Sequence, residues 1–246
     1  MHSNSVFQQA RRRFLEGAAG TLALTVLPFA LRAASAATEK MRIGIVGSGN
    51  VGGTLGSVWV KAGHEVMFSS LHIENDRALA AKLGPNARAG TPREAAAFGQ
   101  VLLISVPYRA LPDVGKELAE LLNGKIVIDT CNPFVSRDGE IATWAREKGA
   151  GLASAELLPG ARIVRAFNAI SAARMGEAHQ EPGRIGMPIA SDDAEAIAVV
   201  SPLIRDIGYQ PVPVGGLAMG KHLMPGTALA GEHAPEEVRA IAATLK

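Results

Sequence analysis

From Met41 onward, short continuous apolar runs alternate with longer stretches in which apolar residues recur every three or four positions. The runs at 42–46, 65–69, 101–106, 126–129 and 162–167 predict strands, with a weaker one at 87–89. The stretches at 50–62, 74–83, 92–98, 111–123 and 139–148 predict helices, and Gly84-Pro85, Gly99 and Gly124 act as breakers between blocks. Val101-Leu102-Leu103-Ile104-Ser105-Val106 shows no polar alternation, as expected of a strand covered on both faces. A further unit follows: Ile185 to Ala190, a helix from about Asp192 to Ile207, then Pro211-Val212-Pro213-Val214. Ser191 or Asp192 is the expected cap of that helix, and Asp193 and Glu195 suit its positive end. Strand and helix patterns in strict alternation predict an α/β chain with a doubly wound parallel sheet. No repeat, linker or low-complexity tract interrupts 41–246, so it reads as one domain with a small C-terminal α/β extension from about 169.

The first strand runs directly into Gly47-Ser48-Gly49-Asn50-Val51-Gly52, and Val51, Leu55, Val58 and Trp59 then follow at helical spacing. Strand, G-x-G-x-x-G and helix have a joint physical purpose. Gly47 permits the tight turn, Gly49 lets the backbone approach a pyrophosphate, and Gly52 lets the helix pack on the strand. The unpaired amides of the helix start then meet the phosphate charge. The context points to a dinucleotide site in a Rossmann-type domain, with Gly47, Ser48, Gly49, Asn50, Val51 and Gly52 at the pyrophosphate.

The first 36 residues read as an address. Arg11-Arg12-Arg13 precedes Phe14-Leu15, an apolar stretch runs from Gly17 to Leu31, and Ala34-Ser35-Ala36 supplies a small-residue cleavage site. The apolar stretch is about 15 residues, short of the ~20 a membrane-spanning helix needs. Arg-Arg-x-Phe-Leu resembles the twin-arginine export motif, although Ala10 and Glu16 depart from its usual flanks. That route carries folded, cofactor-loaded proteins and predicts a periplasmic location. An ordinary secretion signal and an uncleaved anchor are the alternatives.

Composition changes this picture little. The chain has 246 residues, 48% hydrophobic and 20% charged, enough for a sizeable core. Net charge is +2, but the first 36 residues hold four arginines and one glutamate, leaving 21 basic and 22 acidic residues in the remainder. No basic stripe with interleaved aromatics is present, so nucleic acid is not an expected partner. One cysteine, Cys131, excludes an internal disulfide, and the six histidines lack ligand spacing, so no metal site is expected.

NAD sites place Asp or Glu about 20 residues after the first glycine to hold the ribose hydroxyls. Here Val66-Met67-Phe68-Ser69-Ser70 occupies that region. Ser69 and Ser70 can donate to a 2′-phosphate, with His72 or Arg77 adding positive charge, so NADP is favoured over NAD. A plain loop start at Ser69-Ser70 is the alternative.

With these residues in hand, the chain resembles the NADP oxidoreductases that use the deazaflavin coenzyme F420, and the related NADP-binding domains of ferric reductases. The likeness covers 41 to about 226 and rests on Ile43-Gly44-Ile45-Val46 with the glycine loop, Gly63-His64-Glu65-Val66, Ile104-Ser105-Val106-Pro107 and Asp129-Thr130-Cys131-Asn132-Pro133. It continues through Arg165-Ala166-Phe167-Asn168-Ala169, Ser191-Asp192-Asp193 and Ile207 to Gly215. The resemblance implies that Val106, Pro107, Asn132, Pro133 and Asn168 surround a nicotinamide, and that Ser70 contacts the 2′-phosphate beside an arginine. Leu71 stands where that arginine is expected. Lys221-His222-Leu223-Met224-Pro225 also departs from the family's usual segment, which bears on the acceptor pocket. Relatives that pair through the C-terminal segment imply a homodimer.

Hydride transfer between a nicotinamide and a flavin-like ring rests on stacking at reaction distance and needs no dedicated acid or base. Only 79 residues follow Phe167, with another strand–helix–strand unit and no long helical bundle, which argues against hydroxyacid and imino-acid enzymes. His222 is the one weak catalytic candidate, with a surface or packing role as its alternative. Met219, Leu223 and Met224 are read as core in preference to an acceptor pocket. The expected activity is NADP(H)-dependent hydride exchange with a small-molecule redox acceptor, a deazaflavin or flavin. A dinucleotide-binding redox sensor or partner module, and a flavin-mediated ferric reductase, are the alternatives.

Overall fold

The computed structural model describes residues 39–245. The export segment at 1–36 lies outside the described residues. Among the described residues no helix is long and apolar enough to cross a membrane.

Eight strands form one sheet: β1 (Arg42–Val46), β2 (Glu65–Ser69), β3 (Ala87–Ala89), β4 (Val101–Ile104), β5 (Ile126–Asp129), β6 (Arg162–Arg165), β7 (Gly186–Ala190) and β8 (Gln210–Gly215), in the order β3-β2-β1-β4-β5-β6-β7-β8. β1 to β6 are parallel throughout, giving the order 3-2-1-4-5-6 of a doubly wound dinucleotide-binding sheet. The expectation of a fully parallel sheet needs correction at its end. β7 runs antiparallel to β6, joined by the single register pair Arg165↔Ala190, and β8 runs parallel to β7. Pro188, Pro211 and Pro213 lack N–H donors, which thins the ladders of these last two strands.

Helices α1 (Asn50–Lys61), α2 (Ile73–Leu83) and α3 (Pro92–Phe98) link the first four strands. The predicted helix at 111–123 is two pieces, α4 (Leu111–Glu117) and α5 (Ala119–Leu122), separated at Leu118. The block expected at 139–148 is longer, comprising α6 (Val135–Asp138), α7 (Glu140–Lys148) and the unanticipated α8 (Ala150–Leu157). α9 (Ala172–Met175), α10 (Ala194–Ile207) and a final α11 (Pro235–Thr244) complete the described chain. The cap of α10 is Asp193, whose side chain accepts from Ala196 N–H at 2.8 Å; Ser191 instead donates to the Ile163 carbonyl at 2.6 Å.

Strand residues alternate between two cores. Val101 and Leu103 pack with Ile43, Ile45, Trp59 and Phe68 on one face, while Leu102 and Ile104 pack with Tyr108, Leu118 and Val127 on the other. Burial on both faces explains the unbroken apolar runs. A third cluster, including Val212, Leu223 and Val238, closes the C-terminal end, and Met224 is buried as well.

Candidate functional site

β1 and β4 are neighbours whose connections leave in opposite directions along the sheet, so a crevice opens beyond their carboxyl ends. The glycine loop fills one lip. Gly47 has φ 99°, and an added Cβ there would sit 2.2 Å from the Ser105 carbonyl oxygen. At Gly52 a Cβ would lie 2.2 Å from the Gly47 carbonyl oxygen, so this glycine brings helix and strand together. Gly49 differs: nothing lies within 4 Å of the position a Cβ would take. It precedes α1 in extended backbone, with no side-chain cap and no acidic residue in the first turn. The first-turn amides of Asn50, Val51 and Gly52 have no intrahelical acceptor by helix geometry. Open space in front of unpaired amides fits an anion such as a diphosphate.

Gly47 and Ser48 need correction as phosphate donors. Their amides both donate to the Ser69 carbonyl, at 2.9 and 3.1 Å, so they shape the loop and tie it to β2.

Two adjoining clefts flank the loop and share Gly49, Ser105, Val106 and Pro107. The larger, about 480 Å³, has walls that include Ser70, Leu71, His72, Pro92, Asp113 and Glu117. The smaller, about 220 Å³, includes Asn50, Val51, Thr130, Cys131, Asn132 and Arg137. A buried ion pair underlies the smaller one: Arg165 Nη1 to Asp129 Oδ2 at 2.5 Å, both side chains fully buried. Asp129 also accepts from the Cys131 amide at 2.8 Å, and Arg165 Nη2 donates to the Cys131 carbonyl at 3.2 Å. This pair fixes the Thr130-Cys131-Asn132 turn. Burial, followed by the charge of Asp129, pushes the Cys131 thiol well above its ordinary range.

Asn132 Nδ2 donates to the Asn168 carbonyl at 2.8 Å, while Asn132 Oδ1 and both polar atoms of the Asn168 side chain are buried without a partner. β6 stops short of the expected residue 167 because Phe167 turns to φ 65°, held edge-on between Trp59 and Tyr209 at 6.4 and 6.2 Å. That turn delivers the Asn168 carbonyl to Asn132.

The structure gathers Gly49, Asn50, Val51, Ser70, His72, Val106, Pro107 and Asn132 around the two clefts. Others stand apart. Ser69 is fully buried and its hydroxyl donates to the Ile45 carbonyl at 2.6 Å, so it presents nothing to the larger cleft. Arg77 is exposed and paired with Glu74 at 2.6 Å. Pro133 is buried with its carbonyl accepting from Arg146 at 3.3 Å, and Asn168 is only 2% exposed. His222 lines neither cleft; its carbonyl accepts from the Thr227 hydroxyl.

Sequence reasoning missed Asp76. It lies in the first turn of α2, is 1% exposed, and accepts from Ser48 Oγ on one oxygen and from Ser70 Oγ at 2.8 Å on the other. The available signal was its spacing. Asp76 and Ala80, four apart, are the buried positions of α2, so a carboxylate occupies the inward stripe.

Residues 42–133 match the family described as NADP oxidoreductase, coenzyme F420-dependent. These residues belong to that family. Over 185 residues the chain is 30% identical to Metalloreductase STEAP3 of Rattus norvegicus, covering 75% of this chain and 36% of that protein. It therefore spans little more than a third of that relative. It is 29% identical to the F420-dependent NADP reductase of Methanothermobacter thermautotrophicus, covering 72% of this chain and 82% of the relative. Among solved structures, a hypothetical protein of Sinorhizobium meliloti superposes with TM-score 0.64 at 23% identity, covering 79% of this chain and 95% of that one, a likeness of fold. Among the described residues no group of His, Cys, Asp or Glu is arranged to hold a metal ion.

Proposed function

We propose that this chain is an NADP(H)-dependent oxidoreductase that exchanges hydride between the nicotinamide and a flavin-like or deazaflavin acceptor. The observation that carries the proposal is the open space at Gly49 before the first turn of α1, set between two adjoining clefts. The diphosphate rests against the Asn50 and Val51 amides, the adenosine half extends past Ser70 and His72, and the nicotinamide half enters the smaller cleft. When bound, the dinucleotide supplies or receives the hydride. The chain contributes position. Val106 and Pro107 form the wall between the halves, and the Arg165–Asp129 pair stiffens the Cys131-Asn132 turn beneath the ring. Asn132 Oδ1, which lacks a donor, suits a carboxamide N–H.

The smaller cleft supports a reaction without a proton relay. Its ionisable lining groups are Arg137 and Cys131. The Arg137 guanidinium is held by Asp138 at 2.7 Å and the Asn132 carbonyl at 2.9 Å, and the buried thiol is kept protonated. Hydride passing to an extended ring system asks for stacking, for which Val106, Pro107 and Phe134 offer apolar surface in that cleft.

Titration with NADPH and NADH, followed by fluorescence and thermal shift, tests binding; no response to either ends the proposal. Steady-state oxidation of NADPH with coenzyme F420, FMN or a ferric chelate then identifies the acceptor. The ferric arm is motivated by the rat relative, named a metalloreductase. Binding with no turnover on any acceptor would leave a redox sensor as the function. The Arg11-Arg12-Arg13-Phe14-Leu15 segment supports export to the periplasm in the folded state, which cell fractionation tests.

A further inference from the structure

The hydrogen bonds around Asp76 assign a direction to the hydroxyl that faces the adenosine end. A carboxylate only accepts, so Ser48 and Ser70 both aim their hydroxyl protons at Asp76. Ser70 Oγ also accepts from the His72 amide at 3.1 Å. One lone pair remains on Ser70, so toward a ligand it can accept and not donate. A ribose 2′-hydroxyl can donate to that lone pair. A 2′-phosphate offers acceptor oxygens; to bond it, the Ser70 proton must leave Asp76 and strip a buried carboxylate of a partner.

Charge acts in the same direction. The larger cleft carries Asp113 and Glu117 against Arg109, and Asp76 lies behind Ser70. Of the nearby cations, Arg109 is engaged by the Arg137 carbonyl at 2.6 Å and by Asp138 at 3.8 Å, and Arg77 by Glu74 at 2.6 Å. Leu71, 97% exposed, adds no charge.

We infer that Asp76 is a specificity-determining positioning residue that, by holding Ser70 as an acceptor, admits the 2′-hydroxyl nucleotide NADH alongside NADPH. The inference rests on the dinucleotide lying as proposed above. In Asp76→Asn, the amide offers an oxygen to one serine and N–H groups to the other, frees a hydroxyl proton and removes a charge, all favouring the 2′-phosphate.

Dissociation constants for NADPH and NADH, measured by calorimetry on the full chain and two variants, decide the matter. The wild-type constants are expected within about 30-fold of each other, and Asp76→Asn should shift their ratio toward NADPH by about tenfold. Ser70→Ala, which removes only a hydroxyl, should weaken NADH more than NADPH and serves if Asp76→Asn does not fold. A merely structural Asp76 would lower the melting temperature and leave the ratio unmoved. A wild-type preference for NADPH beyond that range, or an unchanged ratio in whichever variants fold, overturns the inference while the dinucleotide site stands. Failure of the wild type to bind either nucleotide overturns the site itself.

Discussion

The replacement Gly49→Asp separates a ligand-binding glycine from a packing glycine. Gly49 has φ −68° and ψ −155°, which any residue adopts, and nothing lies within 4 Å of its Cβ position. An aspartate there caps α1 and meets the positive end of its dipole, a contribution of about 0.3–1 kcal/mol. In a domain of this size that amounts to a melting temperature unchanged or raised by roughly 1–4 °C. Binding should respond in the opposite sense. A carboxylate placed about 4 Å from a phosphate, at an effective dielectric near 20, costs about 4 kcal/mol. Even half of that is a roughly 30-fold loss of nucleotide affinity, and the whole approaches a thousandfold. Thermal denaturation and fluorescence titration with NADPH, run on the same preparation, read the two effects. Gly52→Ala is the contrast: its Cβ meets the Gly47 carbonyl at 2.2 Å, so stability should fall by about 1–3 kcal/mol. A stable Gly49→Asp protein that binds NADPH within about threefold of wild type would refute the phosphate cradle.

Arg165→Met leaves Asp129 buried without its cation and should cost about 3–5 kcal/mol in urea denaturation; a loss under about 1 kcal/mol would show the pair to be dispensable. Leu71→Arg places a guanidinium on the rim of the larger cleft, and should tighten NADPH about tenfold while NADH changes little. Asp193 titrates at about 2, depressed first by the Arg162 hydrogen bond and then by the Ala196 amide. Its stabilising contribution is therefore complete above the ordinary carboxylate range and fades as pH falls through about 2, and carboxyl NMR on Arg162→Gln should show the Asp193 titration moved upward. Cys131, buried and held protonated, should react with a thiol probe only when the chain unfolds; rapid labelling of native protein would contradict its burial.

What the sequence revealed follows from range. The glycine loop and the first five strands are local patterns, and the unbroken apolar run of β4 announces burial on both faces without knowledge of any partner. The reversal of β7 was hidden because strand direction is decided by what the intervening segment packs on. Ser69 and Ser70 look alike as letters. Strand alternation turns the first toward the Ile45 carbonyl and leaves the second at the cleft. Asp76 is not legible at the end of β2, where a ribose-binding acid is expected, because the carboxylate arrives from the following helix. Helix α8 is hidden in the sequence for another reason. Ala150-Gly151-Leu152-Ala153-Ser154-Ala155 has little amphipathic contrast, and Gly151 lets the Leu217 carbonyl approach the helix.

The seam between β6 and β7 has one more consequence. A lone register pair joins the two halves of the sheet, and side-chain contacts that include Ser191 to the Ile163 carbonyl, Arg162 to Asp193 and Glu195, His64 to Asp206, and Trp59 to the Leu203 carbonyl supplement it. Side chains rivet what backbone ladders bind elsewhere. The strand–helix–strand segment 186–215 shares one apolar core with β1, β2 and β4, so in native-state amide exchange it should open together with them. A change at Tyr209 would therefore be felt at the crevice, since its ring helps hold the Phe167 turn that brings the Asn168 carbonyl to Asn132.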